Sequence, residues 1–266
     1  MYAFEYLRGA SLADARQLLA NNPDAKLLAG GMTLIPTMKA RLARPSHVID
    51  LGRMKELTGI EVQGSAVTIG AMTRHAEVAG SVQIRSAIPA LAGLASEIGD
   101  QQVRNRGTMG GSVANNDPAA DYPSAVLGLG ATVVTNKRQI AADNYFQGLF
   151  STALEEGEII TRIVFPVPRR AAYSKFRHPA SGYAMAGVFV AQTAGGVRVA
   201  VTGAGASGVF RWNAAEVSLA KHFSAEALDG LEVDAGECIG DMHATTAYRA
   251  HLVGVMAKRA VRKITG

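Results

Sequence analysis

Two prolines one residue apart, in Pro166-Val167-Pro168-Arg169-Arg170, divide this 266-residue chain. Proline has no backbone N–H to give to a helix or sheet ladder, and it biases the residue before it toward extended backbone. Neither a helix nor a central strand can run through this segment, so we expect a domain boundary here. Upstream, short strand and helix patterns alternate. Ser11 precedes Asp14 at capping-box spacing, and Leu12, Ala15, Leu18 and Leu19 form one apolar stripe, which predicts a helix over 11–19. Lys26 to Ala29 reads as a strand running into Gly30-Gly31, followed by a helix around Pro36 with Leu34, Met38 and Leu42 at helical spacing. His47–Leu51, Ala66–Gly70, Ala131–Thr135 and Ile159–Phe165 read as further strands. Arg85–Ile98 reads as a helix interrupted or started at Pro89, and another helix is expected to end at Leu129. Downstream, Tyr183–Gln192 and Val197–Thr202 read as neighbouring antiparallel strands. Thr245–Lys263 reads as a closing helix with Leu252, Met256 and Arg259 on roughly one face.

Composition narrows the function classes. With 48% hydrophobic and 18% charged residues the chain can bury a substantial core. No uninterrupted apolar run approaches the roughly 20 residues that span a bilayer, so no integral membrane segment is expected. Met1-Tyr2-Ala3-Phe4-Glu5-Tyr6 lacks the basic flank and apolar stretch of a secretory leader, and the cytoplasm is the expected location. Cys238 is the one cysteine, which excludes an intrachain disulfide and any Cys-ligated cluster built by this chain alone. The six histidines form no ligand-spaced pair, so no metal site is expected. A net charge of +5 with only 6% aromatics and scattered basic residues suits a solvated surface, not nucleic acid.

The chemistry concentrates in two glycine segments. Small residues directly after a strand let consecutive backbone N–H groups turn toward one point, where phosphate oxygens can sit uncrowded. Gly30 and Gly31 suit that use, with Thr33 as a hydroxyl donor and a helix start close behind. Thr108-Met109-Gly110-Gly111-Ser112 repeats the pattern, and Asp121 supplies a carboxylate that accepts from sugar hydroxyls. Two such cradles suit a diphosphate, and neither has the P-loop pattern. Read singly, a glycine pair is a turn, Asp117 and Asp121 suit a helix cap and a first-turn carboxylate, Lys175 suits solvent, and Tyr183 suits core packing. Gly203-Ala204-Gly205-Ala206-Ser207-Gly208 matches G-x-G-x-x-G, but its strand lies in an antiparallel region and Val209–Asn213 opens no clear helix. A Rossmann site is therefore rejected in favour of a glycine loop.

Leu27-Leu28-Ala29-Gly30-Gly31-Met32-Thr33-Leu34-Ile35-Pro36, together with Gln102 through Asn115 and Asp117-Pro118-Ala119-Ala120-Asp121, resembles the medium, FAD-binding subunit of the xanthine dehydrogenase and aerobic carbon monoxide dehydrogenase family. The resemblance continues through Gly157-Glu158-Ile159-Ile160, Tyr173-Ser174-Lys175, Ser181-Gly182-Tyr183-Ala184 and Arg198 to Gly203. It implies an α+β fold: an FAD-binding PCMH-type domain over 1–170, in two α/β subdomains of about 1–57 and 58–170, then a carbon monoxide dehydrogenase flavoprotein-like C-terminal domain over 171–266 with an antiparallel sheet and helices. By the same resemblance Leu27, Leu28, Ala29, Gly30, Gly31, Met32, Thr33 and Leu34 surround the FAD diphosphate with Thr108, Met109, Gly110, Gly111 and Ser112. Asp121, with Asp117 nearby, holds a sugar hydroxyl, Ile98 and Ile160 border the adenine or ribityl portion, Lys175 reaches the flavin side, and Tyr183 lies against the isoalloxazine ring. Many family members carry His-Ser where this chain has Met32-Thr33, which implies noncovalent FAD.

The resemblance implies no acid–base pair or catalytic triad in this chain. Its partners would be a large molybdopterin subunit and a small [2Fe–2S] subunit, assembled as a dimer of heterotrimers, with this FAD passing electrons to a final acceptor. The alternatives are a stand-alone FAD reductase of the same fold and a flavin-free interaction subunit.

Overall fold

A computed structural model describes residues 1–266. The chain opens with three short strands, β1 (Glu5–Arg8), β2 (Lys26–Leu28) and β3 (His47–Asp50), which form a parallel sheet in the order β1-β3-β2. Helix α1 (Leu12–Asn21) begins where Ser11 Oγ accepts from the Asp14 amide, the cap that the Ser-x-x-acid spacing predicts. Helix α2 (Leu34–Lys39) is shorter than its apolar spacing suggests. The backbone turns left-handed at Arg41, and Leu42 lies 81% exposed beyond the helix end. Ala15, Ile49, Leu51, Met54 and Leu57 form a small core under this sheet, joined by Ile159 from much later in the chain.

The second sheet contains β4 (Ile60–Gln63), β5 (Ala66–Gly70), β6 (Thr132–Thr135), β7 (Gln139–Ala141) and, after a small hairpin of β8 (Phe146–Gly148) and β9 (Ser151–Thr152), the strand β10 (Ile160–Pro166). Its order is β4-β5-β10-β6-β7, so the last strand in sequence occupies the centre and pairs antiparallel with β5 and β6. Between β5 and β6 run six helices: α3 (His75–Gly80), α4 (Val82–Ala87), α5 (Pro89–Ser96), α6 (Gln101–Arg106), α7 (Met109–Asn115) and α8 (Tyr122–Leu129). The helical stretch expected over 85–98 is interrupted at Pro89 as its sequence suggests: Pro89 starts α5, and α4 before it begins at Val82 with its own cap, Ser81 Oγ accepting from the Ile84 amide. Helix α8 is buried along its whole length.

Strand β10 ends at Pro166, and β11 (Arg170–Arg177) begins a third sheet with β12 (Ala184–Thr193), β13 (Gly196–Thr202) and β14 (Phe210–Arg211), antiparallel throughout. Strand β12 is buried from Ala184 to Ala191 because the sheet is covered on both faces. Tyr173, Phe189, Ala191 and Ala200 join the core of the second sheet, whereas Val188, Val190, Val199 and Val201 pack with α9 (Asn213–Lys221) and α10 (Thr246–Thr265). A central strand in this setting reads as a continuous apolar run.

Two expectations change here. A helix does follow the late glycine loop, α9 from Asn213, but the short strand β14 intervenes and β13 pairs antiparallel on both sides, so the loop does not link a parallel strand to a helix. On α10 the inward face holds Arg249, Leu252, Val253, Met256, Ala257, Ala260 and Val261, and Arg259 is exposed. Buried Arg249 donates to the carbonyls of Met185 and Gly203 and pairs with Asp241, which makes its charge tolerable inside. No helix is long and apolar enough to cross a membrane.

Candidate functional site

The two glycine segments meet. A Cβ on Gly30 would stand 2.2 Å from the Arg106 carbonyl oxygen and 2.7 Å from Gly107 Cα, so only glycine allows the end of β2 to touch the turn that leads into α7. A Cβ on Gly110 would stand 2.5 Å from Ala71 Cβ, and one on Gly111 would come 3.5 Å from Ala29 Cβ across the gap between the segments. Along this junction runs a cavity of about 550 Å³, within the usual range for a small-molecule site. A second recess, of about 520 Å³, is lined by Arg16, Gln17, Lys137 and Glu156 at the outer face of α1 and receives no glycine segment.

The segments play different parts. None of the amides from Gly30 to Leu34 donates to a protein acceptor, and Gly31 sits at φ +75°. Successive free N–H groups of this kind form an anion-binding concavity, and this is the observation on which a diphosphate fits the site. In the second segment the amides from Met109 to Ser112 are all taken. Met109 N–H donates to Thr73 O at 3.0 Å, Gly110 N–H to Ala71 O at 2.8 Å, Gly111 N–H to Thr108 Oγ1 at 3.2 Å and Ser112 N–H to Thr108 O at 3.1 Å. The expectation of two equivalent cradles is therefore corrected. Thr108-Met109-Gly110-Gly111-Ser112 is the capped first turn of α7, and it contributes a close, uncrowded wall in place of a ring of free donors.

The sequence candidates line the cavity except Leu28, Met109 and Lys175. Leu28 stays within β2, and Met109 is fully buried in the main core. Lys175 lies on β11 behind the wall, its side chain without exposed surface. Asp121, 3% exposed, does line the cavity, but Tyr173 Oη donates to its Oδ1 at 2.6 Å and Lys175 Nζ lies 3.0 Å from Oδ1 and 3.2 Å from Oδ2. Burial pushes the Asp121 carboxyl upward, while Lys175 and the Tyr173 hydroxyl pull it down. With those contacts made, one Oδ2 lone-pair direction remains for a ligand hydroxyl. Asp117 Oδ1 accepts from the Ala119 amide at 2.9 Å, which closes the turn ahead of α8.

Tyr183 is 47% exposed at the cavity rim, at the end of a turn in which Gly182 has φ +73°. The His178 amide donates to Tyr183 O at 2.8 Å and the Gly182 amide to His178 O at 2.9 Å, while His178 Nδ1 accepts from the amides of Ala180 and Ser181. Burial, then Asp117 and Asp121, raise the Tyr183 phenol, which keeps it un-ionised. Ile98, Ile159, Ile160, Leu27, Leu51 and Leu154 give the cavity apolar wall.

Several lining residues escaped the sequence reading. His75, the first residue of α3, lines the cavity at 5% exposure; burial, and then Arg104, bring its pKa down to about 4, so it is neutral. Nothing in the sequence separates it from the other lone histidines. Glu158 also lines the cavity, held to a pKa of about 2 against its burial by Arg138, the Glu155 amide and Thr135.

A cavity with a run of free amides, a buried carboxylate, an apolar wall and an aromatic rim suits the class of proteins that bind a nucleotide cofactor. Residues 2–168 match the family described as the FAD binding domain in molybdopterin dehydrogenase. The chain is 36% identical to the carbon monoxide dehydrogenase medium chain of Hydrogenophaga pseudoflava, across 97% of this chain and 96% of that one. It is 35% identical to the nicotine 6-hydroxylase medium subunit of Paenarthrobacter nicotinovorans, again across 97% and 96%. A solved carbon monoxide dehydrogenase from Hydrogenophaga pseudoflava, one lacking the Mo-pyranopterin moiety of the molybdenum cofactor, aligns with a TM-score of 0.90 at 35% identity, covering 99% of this chain and 98% of the other. The chain belongs to the family of FAD-binding subunits of molybdenum-containing dehydrogenases, and it is an oxidoreductase subunit of α+β fold.

Proposed function

We propose that this chain holds FAD noncovalently along the cavity and relays electrons from [2Fe–2S] clusters of a small partner subunit to an external acceptor. Hydroxylation or dehydrogenation of the substrate then occurs at a molybdopterin cofactor in a large partner subunit, and a dimer of such heterotrimers in the cytoplasm is the expected assembly. The observation that carries the reading is the run of free amides from Gly30 to Leu34 lining a cavity of about 550 Å³. Those amides bind the diphosphate, and Gly110 and Gly111 let it approach the backbone. Asp121 accepts from a hydroxyl of the ribityl or ribose portion, Ile98 and Ile160 exclude water from the apolar parts, and Tyr183 covers the isoalloxazine face at the rim. Met32 offers no side-chain nitrogen for a covalent link. When bound, FAD supplies the ability to take electrons singly or in pairs, and the protein supplies binding and orientation.

The functional division falls between 1–170, with subdomains of about 1–57 and 58–170, and 171–266. The test is to purify the chain with whatever accompanies it, record the visible spectrum and release the flavin by denaturation. FAD in the supernatant, with iron–sulfur absorbance and molybdenum present only when two further chains co-purify, is the expected result. A colourless complex overturns the FAD reading, and full dehydrogenase activity of the chain alone overturns the relay.

A further inference from the structure

We propose that Lys175 is a positioning residue, which works from behind the cavity wall and ties together the three wall segments that place Ile98, Asp121 and Tyr183. The proposal rests on the FAD reading above and replaces a direct contact of Lys175 with the flavin. Lys175 Nζ donates to Glu97 O at 2.9 Å, to Gly182 O at 3.1 Å and to the Asp121 carboxylate at 3.2 Å. An ammonium group has three donors, so no hydrogen is left over for a ligand.

Each partner is a lining residue or the chain neighbour of one. Glu97 precedes Ile98, Gly182 precedes Tyr183, and Asp121 lines the cavity itself. The three come from separate places: the end of α5, the start of α8 and the turn between β11 and β12. Arg177 strengthens the first tie by donating to the same Glu97 carbonyl at 2.8 Å, and Tyr173 strengthens the second through Asp121 Oδ1. A buried cation persists only where partners compensate its lost hydration, and here the compensating groups are parts of the wall that faces the ligand. Lys175 and Tyr173 lie beyond residue 168, where the FAD-binding family match ends, so the site is completed by the third sheet.

The charge has a second effect. Asp121 is faced by Lys175 and Tyr173 from β11, by Glu97 from the end of α5, by its neighbour Tyr122 and by Tyr183 from the rim. Lys175 is the one cation among them. Without it, only the Tyr173 hydroxyl opposes burial and the Glu97 carboxylate at Asp121, and the carboxyl gains its proton at a higher pH. A protonated Asp121 loses acceptor capacity toward a ligand hydroxyl.

The experiment strips FAD from the wild-type complex and from complexes carrying Lys175→Met or Lys175→Met with Asp121→Asn, then titrates FAD back between about pH 6 and pH 8.5. Wild type is expected to show a nearly flat affinity. Lys175→Met should bind roughly tenfold more weakly at the acid end and recover toward alkaline pH, with brighter bound-flavin fluorescence as Tyr183 loses its tether. The double variant should lose the slope. A flat Lys175→Met profile at wild-type affinity, or an unchanged slope in the double variant, overturns the proposal. Reductive methylation of stripped wild-type protein, read by mass spectrometry, keeps the test independent of mutant folding. Lys175 should stay unlabelled with or without FAD, and labelling that FAD blocks would make it a direct contact. Wild type that takes up no FAD defeats the functional reading instead, and the two failures are separable.

Discussion

Replacing His75 by glutamine removes a group whose effect on stability depends on pH, and the size follows from its burial. His75 is 5% exposed, its Nδ1 has no hydrogen-bond partner, and burial followed by the Arg104 charge lowers its pKa from 6.5 to about 4. The folded chain therefore keeps this ring neutral, while the unfolded chain takes up a proton below pH 6.5. Stability is full above that pH and falls as the pH drops toward 4, by about 1.4 kcal/mol per pH unit within the window. From pH 7.5 to pH 5 the chain crosses the upper one and a half units of it, so wild type should lose about 2 kcal/mol that the glutamine variant keeps. The variant also gives up the contact with the Tyr122 ring, 5.2 Å between centroids, but that loss is the same at both pH values and cancels. The assay is urea unfolding of flavin-free protein by circular dichroism at each pH. A wild-type-minus-variant difference that does not move between the two refutes the reasoning.

Three further outcomes follow from the geometry. Gly30→Ala puts a methyl 2.2 Å from the Arg106 carbonyl oxygen, so the two glycine segments must part; a fall in unfolding free energy of about 2 to 3 kcal/mol and loss of co-purifying FAD are expected, read from urea midpoints and released flavin. Thr108→Val removes the cap that accepts the Gly111 amide at 3.2 Å and should cost about 1 kcal/mol, with Thr108→Ser restoring most of it. Glu158→Gln removes a carboxylate held at about 2, below its usual 4.5. Its stabilisation is present above pH 4.5 and lost as the pH falls toward 2, so acid-unfolding curves of variant and wild type should converge over that range.

The parts of the fold that could be read from the sequence are those fixed by neighbours in the chain. The Ser11 cap, the end of β10 at Pro166 and the antiparallel pairing of β12 with β13 all follow from local rules. Helix α7 does not, because two adjacent glycines argue against a helix by propensity. It forms because Thr108 caps it and Met109 and Val113 are driven into the main core. The position of β10 between β5 and β6 is a matter of pairing across long loops, which no periodicity records. The site divides in the same way. Gly30 and Gly31, a plain turn when read singly, pointed to a site only together with Gly110, Gly111, Asp121 and the motif around them, whereas the surroundings of Lys175 were not legible, since its partners stand at Glu97, Asp121 and Gly182. His75 had no neighbour in sequence to mark it.

The central place of β10 also governs when this molecule can become itself during synthesis. Until residue 166 has left the ribosome, β5 and β6 each expose an inner edge, and Val67, Ile69 and Val133, though paired with β4 or β7 on the other side, have no partner on the side that β10 will fill. Pairings over such sequence separations form slowly, and open apolar edges invite the wrong neighbour. The nascent chain is therefore most vulnerable to misassociation while the stretch from Gly70 to Ile160 is being made, and slowing translation there should raise aggregation more than slowing it after Pro166.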